Sequence, residues 1–437
     1  MFRFLQGLLS PKNLFPKSNF QGGNALLGAV WFLIVFTVFS GAIRKWVVGP
    51  GTLGNLIFFF QLILPFVFYG IVSRNHLSSR FKTPFIFWLY IGYLIVTAFN
   101  PMNHTTFHGF FGILLHLGYW LVWLGYLQKR QWMELEKFVP LLVLILLIEF
   151  SISTLQYSLP GTHFLNQFAS GEDNTASVGD AVRISGTFSY IGGMQAMIPF
   201  FAFLGWYLLL LRKQNFLLLL VFGLGLLLAF MSGSRGAVGF YILISLFAFL
   251  SVNNLNTNLK LAGLAIRSFF IIFVLFSLNN SLQDTVIKMY ENFMVRVNST
   301  TDLGDRIFFS YIDIWDFRGN YPLFGVGLGS TYQGANALFG ESRYVQEYGY
   351  YESELARIVL EGGYILFILR LILLFVFLRR TFLPISVKFL FFIFFINSMI
   401  VFSAYQGVFF ILQIMFLDRA YYIRSSQNLI NVKYVKS

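Results

Sequence analysis

The sequence predicts an all-α polytopic membrane protein, with about twelve transmembrane helices and a large external loop between the ninth and tenth. Three observations carry that reading. The chain is 57% apolar and only 11% charged, with a mean hydropathy of +0.70, values foreign to an ordinary soluble domain. Its apolar residues form continuous runs such as Leu217–Met231 and Ile365–Leu378, whereas a membrane β-barrel would alternate apolar and polar positions over short segments. Finally, the polar residues concentrate in one stretch, residues 279–352, which holds Asp284, Arg296, Asp305, Arg306, Asp316, Glu341 and Glu347. The whole chain, 1–437, reads as a single integral membrane domain, and 279–352 as its large periplasmic or extracellular loop with short amphipathic helices.

The opening residues, Met1–Leu9, are mildly amphipathic and lack a small-residue cleavage site, so they read as an interfacial helix rather than a cleaved signal. Spans are expected at 25–42, 54–72, 84–99, 109–127, 138–156, 190–211, 216–231, 237–251, 262–278, 354–378, 385–400 and 404–418. Only Ser403-Ala-Tyr-Gln-Gly407 lies near the junction of the last two. Orientation follows from the basic residues, which collect on the cytoplasmic side of multi-pass proteins. With both termini in the cytoplasm, that side receives Arg3, Lys12, Lys17, Arg74, Arg80, Lys82, Lys129, Arg130, Lys137, Arg212, Lys213, Lys260, Arg379, Arg380, Lys388 and the C-terminal Arg419, Arg424, Lys433 and Lys436, most of the 31 basic residues. The net charge of +13 is then topological and gives no reason to invoke nucleic acid. One pair breaks the rule: Arg44-Lys45 follows the first span on the outer side, which marks it for a task of its own.

Several chemistries are excluded. The chain has no cysteine, so disulfides, thiol catalysis and Cys-ligated metals are absent. Its 5 histidines are scattered, with no paired metal motif. What remains is polar and lies on the expected outer face. Arg235 sits in Ser232-Gly-Ser-Arg-Gly236, where small residues allow close approach and a starting helix favours an anion; an ordinary turn with a snorkelling arginine reads equally well. Arg183, in Arg183-Ile-Ser-Gly-Thr-Phe188, is either a solvated loop residue or a second anion contact. Arg306 opens Ile307–Phe317, whose Ile307, Tyr311, Ile314 and Trp315 share one helical face suited to the membrane surface; its plain role is an ion pair with Asp305 or Asp302. Tyr321-Pro-Leu-Phe-Gly-Val-Gly-Leu-Gly329 lacks the Lys-Ser/Thr of a nucleotide loop and reads as a structural turn. Arg357 and Glu361, four residues apart in the tenth span, are placed to neutralise each other. Glu352 lies at the loop's end, where a carboxylate can accept a proton from a sugar hydroxyl.

Taken in order, Arg183-Ile-Ser-Gly-Thr-Phe, Met231-Ser-Gly-Ser-Arg-Gly-Ala, Asp305-Arg306 leading to Trp315, the glycine-spaced turn and Glu352-Ser-Glu-Leu-Ala-Arg-Ile-Val-Leu-Glu-Gly-Gly resemble the O-antigen polymerase and O-antigen ligase superfamily over residues 180–378. The resemblance implies a glycosyltransferase of the bacterial cytoplasmic membrane. Its donor would be a glycan on undecaprenyl pyrophosphate, transferred to a glycan acceptor among membrane lipids without metal or other cofactor. It places Arg183, Arg235 and Arg306 on the pyrophosphate, and Glu352 as catalytic base. Ligases begin the last motif with His-Asn; here the pair is Glu352-Ser353, which favours a polymerase with a chain-length regulator protein as a further candidate partner. A ligase delivering finished glycan to lipid or protein is the alternative. A lipid-linked oligosaccharide flippase is a third reading, disfavoured because charges at mid-span are few (Glu149, Arg370) and no internal repeat is visible. In the enzyme reading, loop 279–352 is a lid over an external cavity.

Overall fold

The computed structural model describes residues 15–19, 22–77, 79, 81–178, 181–211, 215–251, 280–298, 323–349, 353–398 and 400–435. The fold is a helical bundle. In chain order the helices are α1 (Gly23–Ala42, prolonged by a π-helical turn, Ile43–Val48), α2 (Thr52–Arg74), α3 (Phe85–Ala98), α4 (Thr106–Lys129), α5 (Val139–Ser158), α6 (Ile191–Leu210), α7 (Asn215–Met231) and α8 (Arg235–Leu250). Then come α9 (Asn280–Asn298), α10 (Gln333–Phe339), α11 (Arg343–Tyr348), α12 (Glu354–Arg379), α13 (Ile385–Asn397) and α14 (Ala404–Val435). A two-residue antiparallel pair, β1 (Ser177–Val178) and β2 (Ala181–Val182), precedes α6.

Each expected span coincides with an apolar helix except 262–278, which lies outside the described residues. Among the described residues, 6 helices are long and apolar enough to cross a membrane, and four shorter apolar ones stand beside them. The final helix does not stop at 418 but runs on as one element of 32 residues. Helix α6 is the hub, nearly all of it buried against α14, α8 and α7. Aromatic packing fills the other half of the bundle. Trp120 and Trp123 stack in parallel at 5.7 Å, and Phe377 meets both edge-on.

One end of the bundle gathers the residues expected at the cytoplasmic side. Arg130 pairs with Asp418, Lys137 with Glu134, and Arg419 with Glu136. Lys129 donates to the Asn75 and Leu77 carbonyls, closing the α2–α3 connection beneath it. At Glu134, burial works against ionisation, but the Asn19 N–H, Lys137 and Ser18 together hold the carboxyl below its usual range.

Helix α12 departs from the single straight span expected at 354–378. Glu354 and Arg370 form a buried ion pair at 3.0 Å, although 16 residues separate them. In a straight helix that separation is about 24 Å, beyond the reach of both side chains. The chain therefore folds back between them, at Gly363, whose φ of 67° and ψ of −176° no L-residue adopts readily. A short arm, Glu354–Gly362, thus lies against a longer one, Tyr364–Arg379. The glycine-spaced turn wedges into the fold-back. Val326 and Gly327 donate to the carbonyls of Leu360 and Glu361, and Tyr93 O–H caps the Gly362 carbonyl at 2.6 Å.

Glu361 does not neutralise Arg357. Both of its oxygens are taken: one by the Thr331 N–H and hydroxyl, the other by His116 Nε2 and the Gly329 N–H. It pins the loop to the bundle, while Arg357 turns elsewhere, donating to the Thr331 carbonyl and lying over the Phe402 ring.

A candidate active site in an arginine-lined cavity

At the opposite end from the carboxylate-paired cations, the bundle encloses a cavity of about 720 Å³. It is built from pieces distant in sequence. Arg44 comes from the π-helical turn after α1, Arg183 and Ser189 from the segment before α6, and Ser234, Gly236 and Ala237 from the start of α8. Tyr332, Gln333 and Gly334 come from the loop, and Arg357 from the short arm of α12. Its apolar wall is Pro199, Phe240, Phe394 and Phe402. No carboxylate is among the described residues lining it. A cavity with three guanidinium groups and no acid among its described lining residues favours an anion.

The wall carrying Arg183 is held rigidly by polar groups that lie within the apolar spans. Gln156 on α5 accepts from the Ser185 and Gly186 N–H groups and donates to the Gly186 carbonyl. Glu149, one turn or two deeper, accepts from the Thr187 N–H and hydroxyl. This settles the mid-span Glu149: it ties Ile184–Phe188 into the bundle. Arg183 Nε donates to the Ser232 carbonyl at 3.1 Å and so joins this wall to the turn before α8.

Arg44-Lys45 was expected just outside the first span. Instead, the π-helical turn keeps the pair inside the bundle, and both side chains point at the same neighbouring segment. Lys45 Nζ donates to the Ser185 hydroxyl (2.9 Å) and the Gly186 carbonyl (3.1 Å), and Arg44 donates to the Ser189 hydroxyl (3.0 Å). Gly41, one turn earlier, leaves room for the backbone of Thr187–Ser189, which a Cβ would strike. The exception to the charge rule is therefore part of the cavity's construction.

Ser234 caps α8 by accepting from the Ala237 N–H at 3.3 Å. Its neighbours on both sides of Arg235 line the cavity, while Arg235 itself is half-buried at the first position of the helix. Tyr332 is buried, and burial pushes its phenol up, so it stays protonated. Of the residues singled out from sequence, Arg183 lines the cavity, and Arg235 lies between two residues that do, Ser234 and Gly236, without lining it. Arg306 and Glu352 lie outside the described residues, as does Ile307–Phe317. Sequence reasoning missed Tyr332 and Tyr405, whose hydroxyl bonds to Ser189 at 2.9 Å. Among so many aromatic residues nothing local set them apart.

Residues 218–371 match the family model described as O-antigen ligase, a stretch that begins in α7 and ends in the long arm of α12. Over that stretch the chain is similar to the O-antigen ligase family, in line with the resemblance read from its motifs. No curated protein and no solved structure matches the chain. The O-antigen ligase match supplies the α8, loop and Arg357 walls of the cavity, and Arg44 and Arg183 come from outside it. The match supports O-antigen ligase or polymerase type activity, that of glycosyltransferase-like enzymes in glycan processing, and the apolar helices fit a multi-pass membrane protein.

Proposed function

We propose that the chain is a polymerase that transfers glycan repeat units from undecaprenyl pyrophosphate to a growing lipid-linked polysaccharide, at the outer face of the bacterial cytoplasmic membrane. The observation that carries this reading is the cavity: arginines from three separate parts of the chain line one space, and no carboxylate is among its described lining residues. Leaving-group charge on a pyrophosphate is concentrated, and guanidinium groups held in a low-dielectric site compensate it well. Arg183 and the start of α8, with Arg235 and Arg306, bind that group. The acceptor hydroxyl attacks the anomeric carbon, the bond from that carbon to the pyrophosphate oxygen breaks, and the hydroxyl proton passes to Glu352 as base. The apolar wall of Pro199, Phe240 and Phe394 suits the lipid carrier. In this reading both termini are cytoplasmic, the loop is external, and a chain-length regulator is a partner.

A ligase is the second reading, supported by the family description itself. Purified protein in a bilayer, given lipid-linked repeat units, separates the two. A ladder of lengthening products supports the polymerase, and a single transfer to a distinct lipid or protein acceptor supports the ligase. If parent protein yields neither, the glycan-transfer reading falls.

A further inference from the structure

The assigned pyrophosphate contacts, Arg183, Arg235 and Arg306, leave Arg44 and Arg357 over, and Arg44 stands on a wall of different chemistry. Three other cations of this half have acids as electrostatic neighbours: Lys45 has Glu149, and Arg370 and Arg357 have Glu354. Arg44 has neutral ones. It donates to the Ser189 hydroxyl, its Nε is buried without a hydrogen-bond partner, and among the described residues it forms no ion pair. A guanidinium so placed at the edge of an apolar bundle binds an anion more strongly than one in water. The backbone beneath it is a π-helical turn, a distortion of the helix that is common at functional sites.

The groups around Arg44 decide which anion. Its guanidinium lies 5.1 Å from the centre of the Phe58 ring. Phe58 in turn lies nearly parallel to Tyr332, with 6.4 Å between centroids and 16° between planes. The Tyr405 hydroxyl reaches the same Ser189 that Arg44 holds, and Gln333 lines the cavity beside Tyr332. Flat aromatic faces suit the C–H faces of a pyranose, and hydroxyl and amide groups suit its hydroxyls. A planar fork of N–H donors suits a carboxylate. A bare phosphate has no use for the rings.

We propose that this wall is a sugar subsite that selects an acidic residue of the glycan, with Arg44 holding a uronate carboxylate between the Phe58–Tyr332 platform and Ser189. The inference rests on the glycan-transfer reading above and names the substrate class of that site.

The test starts from the glycan. The polymer that disappears from producing cells when Arg183→Ala replaces the parent chain is purified, and its sugars are determined. A uronic acid in the repeat unit is expected, and a wholly neutral polymer overturns the proposal. If no glycan disappears, the transfer reading itself has failed, which is a separate result. Lipid-linked repeat units from the same cells are then used as extracted and after reduction of their carboxyl groups to alcohols. Arg44→Gln is expected to lower kcat/KM for the acidic donor by about tenfold or more, mainly through KM. The loss is expected to shrink to within about twofold on the carboxyl-reduced donor, and Arg44→Lys to fall between. A loss of equal size on both donors assigns Arg44 to the pyrophosphate or to folding and overturns the subsite, as does Arg44→Gln with no loss on either.

Discussion

At the end of the bundle that carries Arg130, Lys137 and Arg419, every one of these cations meets a carboxylate, at 3.0 to 3.2 Å. At the cavity end, Arg44, Arg183 and Lys45 instead donate to serine hydroxyls and backbone carbonyls. The same residue types therefore do different work at the two ends. Charge neutralised within the chain stabilises the connections between helices. Of the cavity-end cations, Arg44 has neutral groups for its described neighbours, and charge so set beside a cavity is available to a ligand. The comparison also explains why net charge alone said little about function: it sums two populations with unrelated roles.

The sharpest way to break this contrast is at Arg183. Arg183→Ala is expected to lower glycan transfer by about a hundredfold to a thousandfold, measured as product formed per purified molecule, with little change in melting temperature. Equal damage to stability would make the cavity end no different from the other. At the paired end the expectation reverses. Asp418 is fully buried and accepts from Arg130, Tyr126 and the Phe382 N–H. Asp418→Ala is expected to cost about 3–5 kcal/mol, seen as a lower thermal midpoint, while turnover per folded molecule stays within about twofold. Between the two ends lies the fold-back. Gly363→Ala places a Cβ against the Leu323 carbonyl at a backbone conformation reserved for glycine. It is expected to cost about 1–3 kcal/mol and to expose the chain near Leu323 to protease.

The smallest effect concerns acid. The Glu134 carboxyl is held below its usual range, so the stability it supplies is present above the ordinary carboxylate pKa of about 4.3 and disappears as pH falls through the lower folded value. Glu134→Gln is expected to lower the melting temperature slightly at neutral pH and to flatten its decline below pH 4. An unchanged acid decline would remove Glu134 from the set of charges that matter.

Helix positions were legible from the sequence because apolar run length reports directly on burial in lipid. Arg183 was legible as a candidate because charge is scarce in such a chain. The roles of Glu149, Gln156 and Glu361 were not, because each serves a segment far away: Gln156 holds Gly186, and Glu361 holds Thr331. Local spacing instead suggested a pairing of Arg357 with Glu361, since both sit on one turn-and-a-bit of helix. That rule assumes an isolated helix surface, and here competing donors from α4 and the loop claim the carboxylate. The fold-back at Gly363 was hidden for a related reason. Its two arms are apolar throughout, so hydropathy reads them as one span, and only the ion pair between Glu354 and Arg370 betrays the reversal.

That reversal has a mechanical consequence for the lipid. The long arm of α12 has only the residues after Gly363 with which to cross, about 24 Å of helix. Two other helices that line the cavity are short as well: α8 has 16 residues and α13 has 13. A hydrocarbon core is about 30 Å thick. If these helices cross as the proposed function requires, the bilayer beside this wall has to thin or the helices have to stay upright where others tilt, and the proposed lipid-borne sugar would meet the arginines below the level of the surrounding membrane surface. Bilayer thickness, set by acyl chain length, thereby becomes a variable that the reaction feels.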